Sequence, residues 1–171
     1  MVKILGAALI LFGTCAWGFQ RVKKLAYHVT TLDGVIASLE RMKNEICVGF
    51  VPMKSVMERM SENADGPMRE FFAEVSDKME GLRRESFEMI WCTGVENARQ
   101  LKLDRDERAV LSSLGAVLGK YDRRTQRSYI DKACSELARF RERAEHDREV
   151  NTRVHAYLGI AAGIFSVVVL A

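Results

Sequence analysis

Two prolines, Pro52 and Pro67, are all that the 171-residue chain contains. So few breakers exclude frequent interruption of helices, and with Ala, Leu, Glu, Arg, Lys and Met plentiful the sequence predicts an all-α fold. Cysteine is scarce and scattered. Cys15, Cys47, Cys92 and Cys134 form no Cys-x-x-Cys pair and have no histidine pair beside them, which argues against a zinc site or a disulfide framework. Three of them fall in amphipathic patterns, as reduced cysteines acting as small apolar fillers do. There is no glycine-rich phosphate loop, no Gly-x-Ser-x-Gly and no His-Glu-x-x-His, and the three histidines, His28, His146 and His155, lie near the apolar ends. No enzyme, cofactor or metal is therefore expected. Asp104, Asp106 and Glu107 alternate with Lys102, Arg105 and Arg108, the pattern of a solvated helix start rather than of an acid and base pair.

Charge is missing from both tips. Between Ile4 and Phe19 no residue is charged, and the run from Val154 to Ala171 lacks Asp, Glu, Lys and Arg. Each is long enough, at about 17 to 19 residues, to cross a bilayer as a helix. Met1-Val2-Lys3 before the first run resembles a signal-peptide start. Arg21, Lys23 and Lys24 just after it oppose translocation, however, and favour a retained anchor. Arg141, Arg143, Arg148 and Arg153 precede the second run and nothing basic follows it. Both inner flanks are positive, which predicts a two-pass protein of the cell membrane with its middle in the cytoplasm. The expected division is a transmembrane helix over 1–20, a helical bundle with a stalk over 21–153 and a transmembrane helix over 154–171. Gly159 and Gly163 form a Gly-x-x-x-Gly that would let a second membrane helix approach, and it leaves self-association open. His155, close to the membrane boundary, is expected to snorkel.

The middle reads as a six-helix antiparallel bundle. Leu25, Val29, Leu32, Ile36, Leu39, Met42 and Ile46 make one stripe on a helix ending near Gly49. Pro52 fits the first turn of a second helix with Val56 and Met60, and Pro67 opens a third with Met68, Phe71, Phe72, Val75 and Met79. Ser86 caps a fourth bearing Phe87, Ile90, Trp91, Val95 and Ala98. Asp104 with Glu107 suits a capping box for a fifth, apolar at Val110, Leu111, Leu114, Val117 and Leu118. Gly119 stops it, and Asp122 caps a sixth through Tyr129, Ile130, Ala133, Leu137, Phe140 and Ala144. No Gly or Pro lies between Lys120 and Leu158, so this helix can run on unbroken, its Arg139–Arg153 stretch solvated and laced by pairs such as Arg141 with Glu145.

Composition gives a net charge of +3 from 26 basic and 23 acidic residues, too balanced for a nucleic-acid surface. Lys120, Arg123, Arg124 and Arg127 form a local basic group without an aromatic platform. They suit anionic headgroups, an acidic partner, or simply the soluble face of a helix start.

Several motifs together resemble the stage III sporulation protein AB family of endospore-forming bacteria. They are Leu5-Gly6 in the first apolar run; Leu39-Glu40 followed by Asn44-Glu45-Ile46, Gly49 and Pro52; Leu114-Gly115 and Leu118-Gly119 followed by Asp122 and Gln126; and Tyr157-Leu158-Gly159 with Gly163. The resemblance covers nearly the whole length, although Phe50-Val51 stands where the family favours Thr before the proline. It implies a non-enzymatic platform in the complex that joins mother cell to forespore, with a bundle similar to the helical domain of type II secretion platform proteins. The implied partners are other proteins of that complex, including a secretion-type ATPase. The residues alone leave a membrane-anchored signalling adaptor open as the alternative.

Overall fold

The computed structural model describes the backbone of residues 2–48, 51–81 and 86–170, with side chains across 23–47, 51–80, 86–150, 152 and 154. Among these there are six α-helices: α1 (Val2–Val48), α2 (Met53–Asn63), α3 (Pro67–Gly81), α4 (Phe87–Asn97), α5 (Arg105–Ser113) and α6 (Arg123–Leu170). Two short 3-10 turns, Arg99–Leu101 and Leu114–Ala116, flank α5. The chain forms two compact units, one of Thr30–Arg141 and one of Met1–Val29 with Glu142–Ala171.

All-α is what the sequence predicts, and its six bundle helices are present. The first predicted bundle helix is the second half of α1, and α6 runs on to Leu170 without a break. Neither helix holds a proline to end it where the hydropathy changes. Among the described residues no helix is long and apolar enough to cross a membrane. The side chains of the two charge-free runs, Val154 excepted, lie outside the described residues, as do those of Gly159 and Gly163.

In the Thr30–Arg141 unit the helices bury most of the stripes that their spacing predicts, but Tyr129 of α6, expected in its stripe, is exposed, its phenol being able to meet water. Leu32, Leu39 and Met42 on α1 are fully buried, joined by Val35 where the sequence pointed to Ile36, which is partly buried. From α2 and α3 come Met57, Met60, Met68, Phe71 and Phe72; from α6 come Ile130 and Leu137. Trp91 of α4 is the largest fully buried side chain. Phe71 meets its ring edge-on, with centroids 5.0 Å apart at 85°, and Phe87 lies tilted at 5.8 Å. The indole Nε1 donates to the Leu111 carbonyl at 2.8 Å, which ties α4 to α5.

Helix ends are closed largely as the sequence indicates. Ser86 accepts from the Met89 amide at 3.3 Å. Asp104 and Glu107 form a capping box in which the Asp104 amide donates to Glu107 Oε2 at 2.8 Å. Pro52 sits one position earlier than expected, as the N-cap of α2. The fifth helix is shorter than its apolar pattern suggests: it stops at Ser113 and tightens into the 3-10 turn Leu114–Ala116. Glu107 is buried, although its charged neighbourhood reads as solvated. The capping box satisfies its carboxylate and makes that burial tolerable.

Between α1 and α6, Lys43 donates to Asp131 at 2.6 Å and also pairs with Glu40. The hydrogen bond to Asp131, and after it the one to Glu40, raise the Lys43 pKa above 10.5. Nearby Cys134 is pushed up to about 12, chiefly by burial and secondarily by the Glu40 charge. It is accordingly a thiol at neutral pH. Iodoacetamide is expected to spare Cys134 in the folded chain and to alkylate it after unfolding, read by mass spectrometry of the tryptic peptides.

Candidate functional site

The paired Leu-Gly motif builds one corner of the Thr30–Arg141 unit. Leu114 and Leu118 are core residues, 1% and 2% exposed, and they anchor the turn from inside. Gly115 lies against α4 so closely that a Cβ there would stand 2.9 Å from Trp91 Cδ1, 3.2 Å from the Glu88 carbonyl oxygen and 3.3 Å from Cys92 Sγ. That approach explains why the helix tightens here: only a residue without a side chain lets the turn reach α4. Gly94 answers it from within α4, where a Cβ would come to 3.0 Å from Val75.

Gly119 reverses the chain with φ +74°. A Cβ at Gly119 would only touch Met53 at 3.8 Å, so its requirement is backbone conformation rather than space. Gly119→Ala is expected to cost about 1 kcal/mol, seen as a melting temperature lower by a few degrees.

Asp122 then caps α6. Its carboxylate accepts from the Thr125 hydroxyl at 2.7 Å and from the Thr125 amide at 3.1 Å. These bonds, the hydroxyl's first, hold its pKa below the ordinary 3.8. Because the folded state keeps this proton off more strongly than the unfolded chain, the cap contributes fully above pH 3.8 and is lost as pH falls through the lower folded value. Asp122→Ala should therefore melt below the parent at neutral pH, with the gap closing as the pH is taken below 3.8.

Four residues later Gln126 turns back to the same corner. It is 7% exposed, and its Nε2 donates to the Tyr121 carbonyl at 2.6 Å. Its Oε1 is buried without a hydrogen-bond partner, an arrangement that costs about 1–3 kcal/mol. Gln126 lines a hollow of about 390 Å³ together with Ile46, Pro52, Met53, Val56 and Arg123. The hollow is apolar on the side of α1 and α2 and polar on the side of α6.

The remaining sequence candidates are distributed around this corner. Glu45 accepts from Arg59 at 3.1 Å and joins α1 to α2. Pro52 is exposed at the rim. The basic group divides: Arg123 lines the hollow, Arg127 stands 3.8 Å from Asp131 along α6, and Lys120 and Arg124 are exposed. At the start of the charged stretch of α6, Arg141 donates to Asp33 at 3.0 Å, which ties α6 to α1. Sequence reasoning reached Gly115, Gly119, Asp122 and Gln126 but missed Met53, Val56 and Ile46 as lining residues, since only the tertiary fold brings them to Gln126. It also passed over Gly94, a glycine inside a helical pattern and so a flag for close packing.

The family model of stage III sporulation protein AB matches residues 3–171. Stage III sporulation protein AB of Bacillus subtilis (strain 168) is 25% identical over 177 residues, covering 99% of this chain and 99% of the relative. A solved structure of stage III sporulation protein AB superposes with a TM-score of 0.63 at 22% identity, over 70% of this chain and 94% of that one, a likeness of fold.

Proposed function

The chain belongs to the stage III sporulation protein AB family, a family of sporulation proteins, and we propose that it is a non-enzymatic platform subunit of the envelope complex between mother cell and forespore. In this reading the charge-free runs over 1–20 and 154–171 are membrane anchors. The helical middle faces the mother-cell cytoplasm and couples a secretion-type ATPase to membrane components of the complex. One observation carries the proposal: a compact all-α unit stands between two charge-free runs whose inner flanks are basic. Its ionisable groups support it. Asp122 with Thr125, Glu45 with Arg59 and Lys43 with Asp131 serve as a cap and as inter-helix ties, which hold a scaffold together.

Chemical crosslinking in sporulating cells, followed by isolation of the membrane fraction, tests the role. The chain should be recovered joined to a secretion-type ATPase or to another protein of the complex. Recovery from the soluble fraction, joined to neither, would overturn the platform reading.

A further inference from the structure

Two helices of the Thr30–Arg141 unit carry matching rows of opposite charge. On α3, Glu70 and Asp77 stand exposed seven residues apart, with the small, half-buried Ala73 between them. On α6, Lys132 and Arg139 stand exposed seven residues apart, with the small, exposed Ser135 between them. Both sets follow the i, i+3, i+7 spacing of residues on one helix face, with the two charges about 10.5 Å apart along the axis. The match continues one turn earlier: half-buried Pro67 precedes Glu70 by three residues, and Tyr129, 48% exposed, precedes Lys132 by three. Among the described residues the side chains of Glu70, Asp77 and Arg139 make no hydrogen bond or ion pair, and Lys132 only approaches Glu136 of its own helix at 3.9 Å.

We propose that this face of α3 in one copy docks on this face of α6 in a second copy of the chain. With the two helices parallel and side by side, Tyr129 rests on Pro67, Lys132 meets Glu70, Ser135 faces Ala73 and Arg139 meets Asp77. The small pair lets the axes approach while the charges close on either side of it. Charge and spacing argue for a second copy: the chain carries the acidic counterpart of its basic face in the same register, and the exposed ring finds a proline at the same offset. A membrane surface or a nucleic acid would suit Lys132 and Arg139 but would be repelled by the α3 face. The acidic residues beside the seam, Glu74 and Glu136, are paired within their own helices with Lys78 and Lys132. Because the two faces differ, the contact is heterologous: each copy keeps one face open after pairing, and copies add in one direction to a ring or an open row. Exposed pairs of this kind are individually weak, so copies exchange and the faces stay open to small reagents. Anchorage of every copy in one membrane, for which the inference rests on the platform reading, raises the concentration at which they meet.

The test uses two differently tagged full-length copies expressed together in sporulating cells, one with Ala73→Cys and the other with Ser135→Cys, and a short membrane-permeant bismaleimide. An adduct carrying both tags is expected in the membrane fraction, well above that from a Thr93→Cys copy paired with the Ser135→Cys copy, Thr93 being exposed on α4. Lys132→Glu with Arg139→Glu in the Ser135→Cys copy should lower the yield by about tenfold. Glu70→Lys with Asp77→Lys in the Ala73→Cys copy should then restore it, which a loss of folding would not allow. The proposal is overturned by an adduct no stronger than the Thr93 control, by a yield indifferent to the charge reversal, or by a reversal that the complementary one fails to rescue. The adduct found only in the soluble fraction would uphold the contact and sink the anchored platform. A chain crosslinked to a secretion-type ATPase at the membrane, with no adduct between copies, would do the reverse.

Discussion

Trp91→Ala is expected to remove most of the stability of the Thr30–Arg141 unit. The indole is fully buried, and truncating such a side chain costs about 3–5 kcal/mol in lost transfer energy and cavity. The edge-on contact with Phe71 and the tilted one with Phe87 go with it. A second loss is separate in origin. The Leu111 carbonyl, which accepts from Nε1 at 2.8 Å, would lose that bond and keep the one from the Leu114 amide, at about 0.5–1.5 kcal/mol. Against a typical total of about 5–15 kcal/mol the two together leave little, so the chain should lose its cooperative thermal transition and accumulate poorly. Trp91→Phe keeps an aromatic ring in the cluster and forfeits mainly the hydrogen bond. It should fold with a lowered midpoint in a denaturant titration. If Trp91→Ala melts within a few degrees of the parent, the aromatic cluster is not the centre of this core.

The second large effect lies on the other side of the same contact. Gly115→Val places a branched side chain where even a Cβ would be 2.9 Å from Trp91 Cδ1 and 3.2 Å from the Glu88 carbonyl. Neither neighbour can give easily: one belongs to a ring locked among Phe71, Phe72 and Phe87, the other to the backbone of α4. Overpacking of this kind costs about 1–3 kcal/mol, and valine should reach or exceed the upper end while alanine falls below it. The two positions are in direct contact, so their effects should not add. In a Trp91→Leu background, where the ring is gone, Gly115→Ala should cost markedly less than in the parent. A thermodynamic cycle over the four proteins measures that coupling, and strict additivity would show that Gly115 is not there to admit Trp91.

These two residues also show what could be read before the fold was known. Gly115 was legible as a position needing close approach, because a glycine between core leucines has little other use. That Trp91 is what it approaches was not, since Trp91 and Gly115 meet only once α4 and the 3-10 turn are packed. Local rules served well where the physics is local: Ser86, the Asp104–Glu107 box, Gly119 and Asp122 all act as their spacing indicates. The stripes of α1 and α3, and that of α6 apart from exposed Tyr129, turn inward because helical period is itself a local signal. One feature escaped for the opposite reason. The hollow at Gln126 draws its lining from three helices and the Gly119 turn, so no window of the sequence contains it.

The role as a platform requires that the helical middle face the mother-cell cytoplasm, and labelling from outside the cell tests this most directly. The native cysteines are poor reporters: Cys134 is buried with a raised pKa, and half-buried Cys92 donates to the Ser112 carbonyl at 3.6 Å. Lys132 is 74% exposed on α6, and Lys132→Cys offers an accessible thiol, with the parent chain as the blank. A membrane-impermeant maleimide should label this cysteine only after the cells are permeabilised. Labelling of intact cells to the same extent would contradict the account.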